Sequence, residues 1–319
     1  MSEQQIHKVK VKRLAHVGLW TADIAAQARF YRQVMGWDLQ TSETVQGFEL
    51  EDGNVWLSLG DNHYCLGLFS DTRPATSNAR VPSPRTCLHH MMFEVGTHAE
   101  LAAFAARLKQ VGVELTLGER VSDLETGDTL WFHDPDDNRI GVTVAPDDAL
   151  TPLPTMHQGR QRRLRPHGLQ HLALQTTRLE FMVEFYTEAL GLDVSDWLLR
   201  ECVWLRCNDS HHTLMLIKGK QEIDHIGYSI ADGQEVLAWA DHLGQQQTPL
   251  LWGPGRHGAG NDLFLRFADA DGIHIELSAE LQRYYDRDAT TPPRLWHSRP
   301  TALNLWGVMP PWLREEVRV

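Results

Sequence analysis

Three residues in the second half of this 319-residue chain have the types and spacing for metal chemistry: His171 in LQHLALQT, His225 in IDHIGYSI and Glu276 in GIHIEL. Each histidine lies in a short apolar run that reads as a buried strand, and the glutamate lies in another. Two neutral imidazoles and one carboxylate leave coordination positions open, a set that suits non-haem Fe(II) and the handling of O2. A single strand histidine is more often a satisfied core residue. Three suitable residue types at three strand positions outweigh that reading.

The elements that must position them come from a duplication. LAHVGLWTADIAAQARFYRQVMGWDL (14–39) lies over LQHLALQTTRLEFMVEFYTEALGLDV (169–194) without a gap, so that His16 and His171, Tyr31 and Tyr186, and Gly36 and Gly191 are each 155 residues apart. Both copies run from a strand into a helical pattern that reaches a glycine, the usual residue past a helix end. Downstream, His90 matches His225 and FHDPDDNRIG (132–141) matches FADADGIHIE (267–276), now 135 residues apart. The difference of 20 residues falls in loops around TRPATSNARVPSPR (72–85), a Pro- and Ser-rich connection.

The chain therefore contains four units of strand, helix and further strands, two in each half. One unit cannot cover its own sheet, so units are expected to pair. In the first half the equivalents of the metal-type residues are His16, His90 and Gly141. That half lacks the carboxylate, and its histidines read as packing residues.

Composition excludes several classes. Hydrophobic residues are 42% and charged residues 23%, an ordinary globular balance, and the formal charge of −12 argues against a nucleic-acid partner. The basic run GRQRRLR (159–165) reads as a solvated linker face. Cys65, Cys87, Cys202 and Cys207 show no CxxC spacing and read as reduced thiols. The chain opens with charge, MSEQQIHKVKVKR, and no apolar run approaches the length of a membrane span. A soluble, cytoplasmic protein with no membrane partner is the expectation.

At these residues the sequence resembles the type I extradiol ring-cleavage dioxygenases of the vicinal oxygen chelate superfamily, over nearly the whole chain. The likeness is greatest to the homoprotocatechuate branch, through GPGRHG (253–258), Tyr284-Tyr285 and LNLWGVMPPW (303–312), with an echo of the dihydroxybiphenyl branch in RCNDSHHTL (206–214). The resemblance implies an α+β fold of paired βαβββ modules, two similar domains each an open mixed-sheet barrel. These are a non-catalytic pair over 1–146, a linker over 147–166, a metal-binding pair over 167–280 and an aromatic tail over 281–319. It implies Fe(II), with Mn(II) as the alternative, held by His171, His225 and Glu276, and a catechol-type substrate cleaved by O2 in aromatic catabolism. It further implies His212 as acid–base residue, His257 beside the substrate hydroxyls and Trp204 as a pocket wall. A homo-oligomer, dimeric or tetrameric, is expected.

The departures from that pattern are specific. The tyrosine expected six residues before the turn glycine is Arg266, the turn proline is Ala270, and a small polar pocket residue is Ala173. The arginines that grip a substrate carboxylate fall on Trp252 and Leu303, which disfavours homoprotocatechuate itself. Arg266 either faces inward, where burial demands an acidic partner or a substrate anion, or faces solvent on an alternating strand. The aromatic tail reads as a cover over the barrel mouth or as a clamp between subunits. Two other readings compete: a glyoxalase-like isomerase or lyase with a fuller ligand set, and a non-catalytic binding protein of the bleomycin-resistance type.

Overall fold

The computed structural model describes residues 9–40, 54–59, 64–70, 87–117, 129–145, 164–285, 291–307 and 309–313. The 72–85 connection lies outside these, as do most of the 147–166 linker and its basic run.

Each half builds one mixed sheet from two units. The first unit is β1 (Arg13–Thr21), α1 (Ile24–Gln33), β2 (Asp38–Gln40), β3 (Asn54–Ser58) and β4 (Tyr64–Ser70). The second is β5 (Leu88–Val95), α2 (His98–Gln110), β6 (Thr116–Leu117), β7 (Leu130–His133) and β8 (Arg139–Val144). Together they give the strand order β2-β3-β4-β1-β5-β8-β7-β6.

The second half repeats the plan. Its first unit is β9 (Gly168–Thr176), α3 (Leu179–Leu190), β10 (Asp193–Leu198), β11 (Cys202–Arg206) and β12 (Leu214–Lys218). Its second is β13 (Glu222–Ser229), α4 (Gly233–Gln245), β14 (Trp252–Arg256), β15 (Leu263–Ala268) and β16 (His274–Ala279). The tail adds β17 (Arg294–Trp296) at one edge, for the order β14-β15-β16-β13-β9-β12-β11-β10-β17, followed by the short helix α5 (Arg299–Leu303). The βαβββ units and their pairing within each half agree with the expected fold class.

Strand alternation divides the second sheet into two faces. Leu172 and Leu174, Leu265 and Phe267, and Ile275 and Leu277 enter the main core with the helices. Their neighbours Ala173, Trp204, Met215 and Phe264 belong to a separate apolar cluster with Trp252, and tail residues Ala302, Leu303 and Met309 cover it. The metal-type residues share this second face.

The main core runs through both halves without a break, and the contacts that join them obey the repeat. Tyr31 Oη and Gln27 Nε2 of α1 donate to Asp269 Oδ2 (3.1 and 2.7 Å), while Tyr186 Oη of α3 donates to Asp134 Oδ2 (2.7 Å). Arg107 donates to the Glu188 carbonyl at the end of α3 (2.8 Å), and its counterpart His242 meets the Val34 carbonyl just past α1 (2.8 Å). A cation or imidazole there satisfies orphan helix carbonyls and the helix dipole. α3 ends as expected on Gly191, which is left-handed (φ 73°), whereas α1 stops at Gln33, before Gly36.

Asp269→Ala strips the acceptor from the buried Tyr31 and Gln27 side chains and from the backbone N–H groups of Asp271 and Ile273, and should lower unfolding free energy by roughly 2–4 kcal/mol. Tyr186→Phe leaves Asp134 its Asn138 donors (2.9 and 2.8 Å). It should cost about 1 kcal/mol. Urea denaturation of both variants measures the difference, and equal losses would contradict the unpaired-donor argument.

Candidate metal centre

His171 and His225 lie in the adjacent central strands β9 and β13, with Glu276 in β16 beside them. Their exposures are 0%, 1% and 1%, so nothing but protein can satisfy them in the absence of a ligand. His171 Nε2 and His225 Nε2 are 2.9 Å apart. Glu276 Oε1 is 3.6 Å from the first and Oε2 is 3.9 Å from the second. Two atoms bound at right angles about a metal, each about 2.1 Å from it, would stand about 3 Å apart.

Two bulges make this arrangement. The β9–β13 ladder passes from Ile223↔Leu174 to His225↔Ala173, and from Gly227↔His171 to Tyr228↔Leu169. Asp224 and Gln170 are therefore the extra residues, each just before a histidine. A bulge re-aims a side chain that alternation would send to the other face. Asp224 Oδ1 lies 2.7 Å from His225 Nδ1, and Gln170 Oε1 lies 3.0 Å from His171 Nδ1. Both are acceptors, which assigns the protons to Nδ1 and turns both Nε2 lone pairs toward each other. A cation between them relieves that opposition, and the donor set fits a divalent metal. Gly227 is required here, because a Cβ would collide with the His171 ring.

Electrostatics agree with a neutral imidazole pair and an ionised carboxylate. Burial pushes His171 well below the usual imidazole range, helped by His225. Burial also lowers His225, helped by the Arg266 guanidinium. For Glu276 burial works the other way, yet Arg266, His257 and His225 hold it well below the carboxylate range.

Around the trio is a cleft of about 260 Å3 lined by Trp204, His212, Met215, His225, His257, Arg266, Glu276 and Leu303. The His212 ring centre is 4.3 Å from that of His171, and His212 Nδ1 is 3.1 Å from His211 Nδ1. His257 sets Nδ1 2.6 Å from the Leu303 carbonyl and Nε2 3.3 Å from Glu276 Oε2. Trp252 is not on the cleft surface; its ring backs Arg266 (5.1 Å) and packs edge-on against Phe264. Ala173 sits behind the cleft, opposite both His225 and Met215 in the ladders. The tail reaches the site through Leu303 and is admitted by Gly258, where a Cβ would strike the Thr301 carbonyl.

Arg266 faces inward, which removes the solvent-facing alternative. The alternation on β15 is as the sequence suggests, but the polar face is a covered cleft and Arg266 is 5% exposed. Its acidic partners come from the chain: Nε donates to Glu276 Oε2 (2.5 Å) and Nη1 to Asp224 Oδ1 (3.3 Å). Asp224, Gln170 and Met215 are the site residues that sequence reasoning passed over. The only signal for the first two is an acceptor type directly ahead of each histidine.

The first half carries the same bulges, at Ala15 and His89. Ala15 offers no acceptor where Gln170 does. Gly141 faces Met92, whose side chain occupies the space a Cβ would need, together with Trp131. His16 and His90 touch at 2.8 Å between Nε2 atoms, with Trp56 packed edge-on against His16 and Trp131 against His90. Aromatic packing replaces the carboxylate there.

Comparison with known proteins gives a consistent picture. The Glyoxalase/Bleomycin resistance protein/Dioxygenase superfamily matches residues 13–142 and 168–277. Metapyrocatechase 2 of Cupriavidus necator is 28% identical over 198 residues, a match that spans 57% of this chain and 61% of that protein. The iron-dependent extradiol dioxygenase of Rhodococcus jostii is 23% identical over 94% of this chain and 97% of its own. Among solved structures, the Mn(II)-bound glyoxalase from Novosphingobium aromaticivorans has the same fold (TM-score 0.75, 24% identity, 94% of this chain and 91% of that one).

Glu276→Gln and His225→Ala each remove one of three ligand atoms and should weaken divalent-metal binding by about 100-fold or more. His16→Ala and His90→Ala should leave it unchanged. Metal content after dialysis against a fixed free-metal buffer checks all four, and wild-type content in the first two would overturn the ligand assignment.

Proposed function

The chain belongs to the Glyoxalase/Bleomycin resistance protein/Dioxygenase superfamily, and on that premise we propose that it cleaves the ring of a catechol by O2, extradiol to the two hydroxyls, at a metal held by His171, His225 and Glu276. The observation that carries this reading is the convergence of two imidazole lone pairs and one carboxylate on one cleft. A divalent ion bound there, Fe(II) or Mn(II), would supply Lewis acidity and open positions at which a catecholate and O2 meet. A glyoxalase-like isomerase would fill those positions with a fourth protein ligand. The three-residue set favours ring cleavage.

The chain's own residues divide the proton work. Burial, with the neighbouring His171, holds His212 well below the imidazole range, so near neutral pH it is an unprotonated base in the cleft wall. His257 is opposite: burial would lower it, but the Asp262 and Glu276 carboxylates outweigh burial and raise it. Two titratable groups pushed apart by their surroundings mark an acceptor and a donor. His212 then takes a hydroxyl proton from the catechol and returns it later in the cycle. His257, tethered by its Nδ1 to the Leu303 carbonyl, donates from Nε2. Trp204, Met215 and Leu303 hold the ring and exclude water.

Reconstitution with Fe(II) under anaerobic conditions, followed by oxygenated catechols, should produce a yellow ring-opened product read by visible absorbance. Absence of both O2 uptake and colour across the panel would overturn the reading. His212→Ala should lower kcat by about 10²–10⁴ and leave KM nearly unchanged. A rise confined to KM would remove the acid–base role.

A further inference from the structure

Arg266 lies among the side chains that would hold the metal. Its guanidinium contacts two of the three side chains that would hold a metal: Nε bonds Glu276 Oε2 at 2.5 Å, and Nη2 lies 3.2 Å from His225 Nε2. Because His225 Nδ1 faces the Asp224 carboxylate, Nε2 accepts there, and Nη2 donates into the lone pair that would bind metal. The contact is written into the backbone, since Arg266 and Glu276 are directly opposed in the β15–β16 ladder. The Trp252 ring lies against the guanidinium (5.1 Å), and the side chain is 6% exposed, so it cannot simply swing out to water. A second acceptor is already in reach, as Nη1 is 3.3 Å from Asp224 Oδ1.

We propose that Arg266 is a resident counter-cation of the ligand set: it holds Glu276 and His225 in the metal-free chain, competes with a divalent ion for the same atoms, and yields by moving fully onto Asp224. The inference rests on the metal reading given above. The physics is an exchange of one cation for another in a buried place. Without Arg266, Glu276 in the metal-free chain would have only His257 for a cationic partner, and an under-compensated buried carboxylate is costly. With Arg266 in place, the site is already assembled before metal arrives. The same positive charge repels an incoming divalent ion over a short distance in a medium of low dielectric, and so lowers its affinity. Asp224 offsets part of that repulsion, because it can take the guanidinium while still orienting His225. Loading is then limited by displacement of the arginine, whereas a neutral residue at position 266 would leave the ligands open.

The test is calorimetric titration of Mn(II) into the metal-free full chain, with thermal melts of the metal-free forms. Arg266→Gln and Arg266→Tyr should bind Mn(II) about tenfold or more tighter than the wild type, and their metal-free forms should melt at lower temperature. Arg266→Lys keeps the charge and should keep the weaker affinity. Using two neutral variants guards against one of them failing to fold. Equal or weaker Mn(II) binding in the folded neutral variants would overturn the proposal while leaving the ligand trio intact. Tightening in Arg266→Lys to the same degree would overturn it also, because charge would not be the cause. If none of the proteins bound Mn(II), the metal reading would fall and this inference with it.

Discussion

A carboxylate that is 1% exposed cannot stay ionised without positive charge or donors around it, and the second sheet is arranged about that demand at Glu276. Arg266 lies across the ladder, His257 sits above it, and the two central-strand histidines close the remaining side. Each of these groups needs its own anchor. Asp224 and Gln170 fix the histidines, the Leu303 carbonyl fixes His257, and Trp252 backs the arginine. The tail is drawn into the fold by the same chain of requirements, since Leu303 brings both an apolar wall and that carbonyl.

Duplication explains where the resulting strain of specification is carried. The halves share strand order, bulge positions and the helix-to-half contacts of Tyr31 and Tyr186. They differ in the residues on the concealed face. One half places Gly227 beside Glu276, and the other places Met92 beside Gly141, so bulk and charge have changed places across one pair of neighbouring strands. The scaffold keeps its packing under either choice. The cleft lies on the side that carries the glutamate.

Much of this was legible in the sequence, and the exceptions have physical causes. The four-unit repeat is visible because identical spacings recur, and His171, His225 and Glu276 are visible because one half keeps what the other has lost. Arg266 was not decidable: alternation separates two faces of β15 but carries no information about which face the tail will cover. Asp224 and Gln170 were hidden for a different reason. Regular strands send neighbours to opposite sides, so a residue next to a ligand histidine looks like a core residue until a bulge is seen. The tail's aromatic composition was apparent, yet Ala302, Leu303 and Met309 are among its buried members, while Trp306 remains 61% exposed.

The pair Tyr31–Asp269 bridges 238 residues, about three-quarters of the 319-residue chain. The equivalent pair in the other orientation, Tyr186–Asp134, bridges only 52. The two symmetric interfaces are therefore unequal during synthesis. At roughly 5–20 residues per second, the buried end of α1 waits on the order of 10–50 s for its acceptor to emerge. Until then Gln27 and Tyr31 present polar atoms and an open apolar edge to whatever is nearby. A duplicated protein whose finished form is nearly two-fold is thus strongly one-sided in time, with its N-terminal helix the segment most in need of shelter.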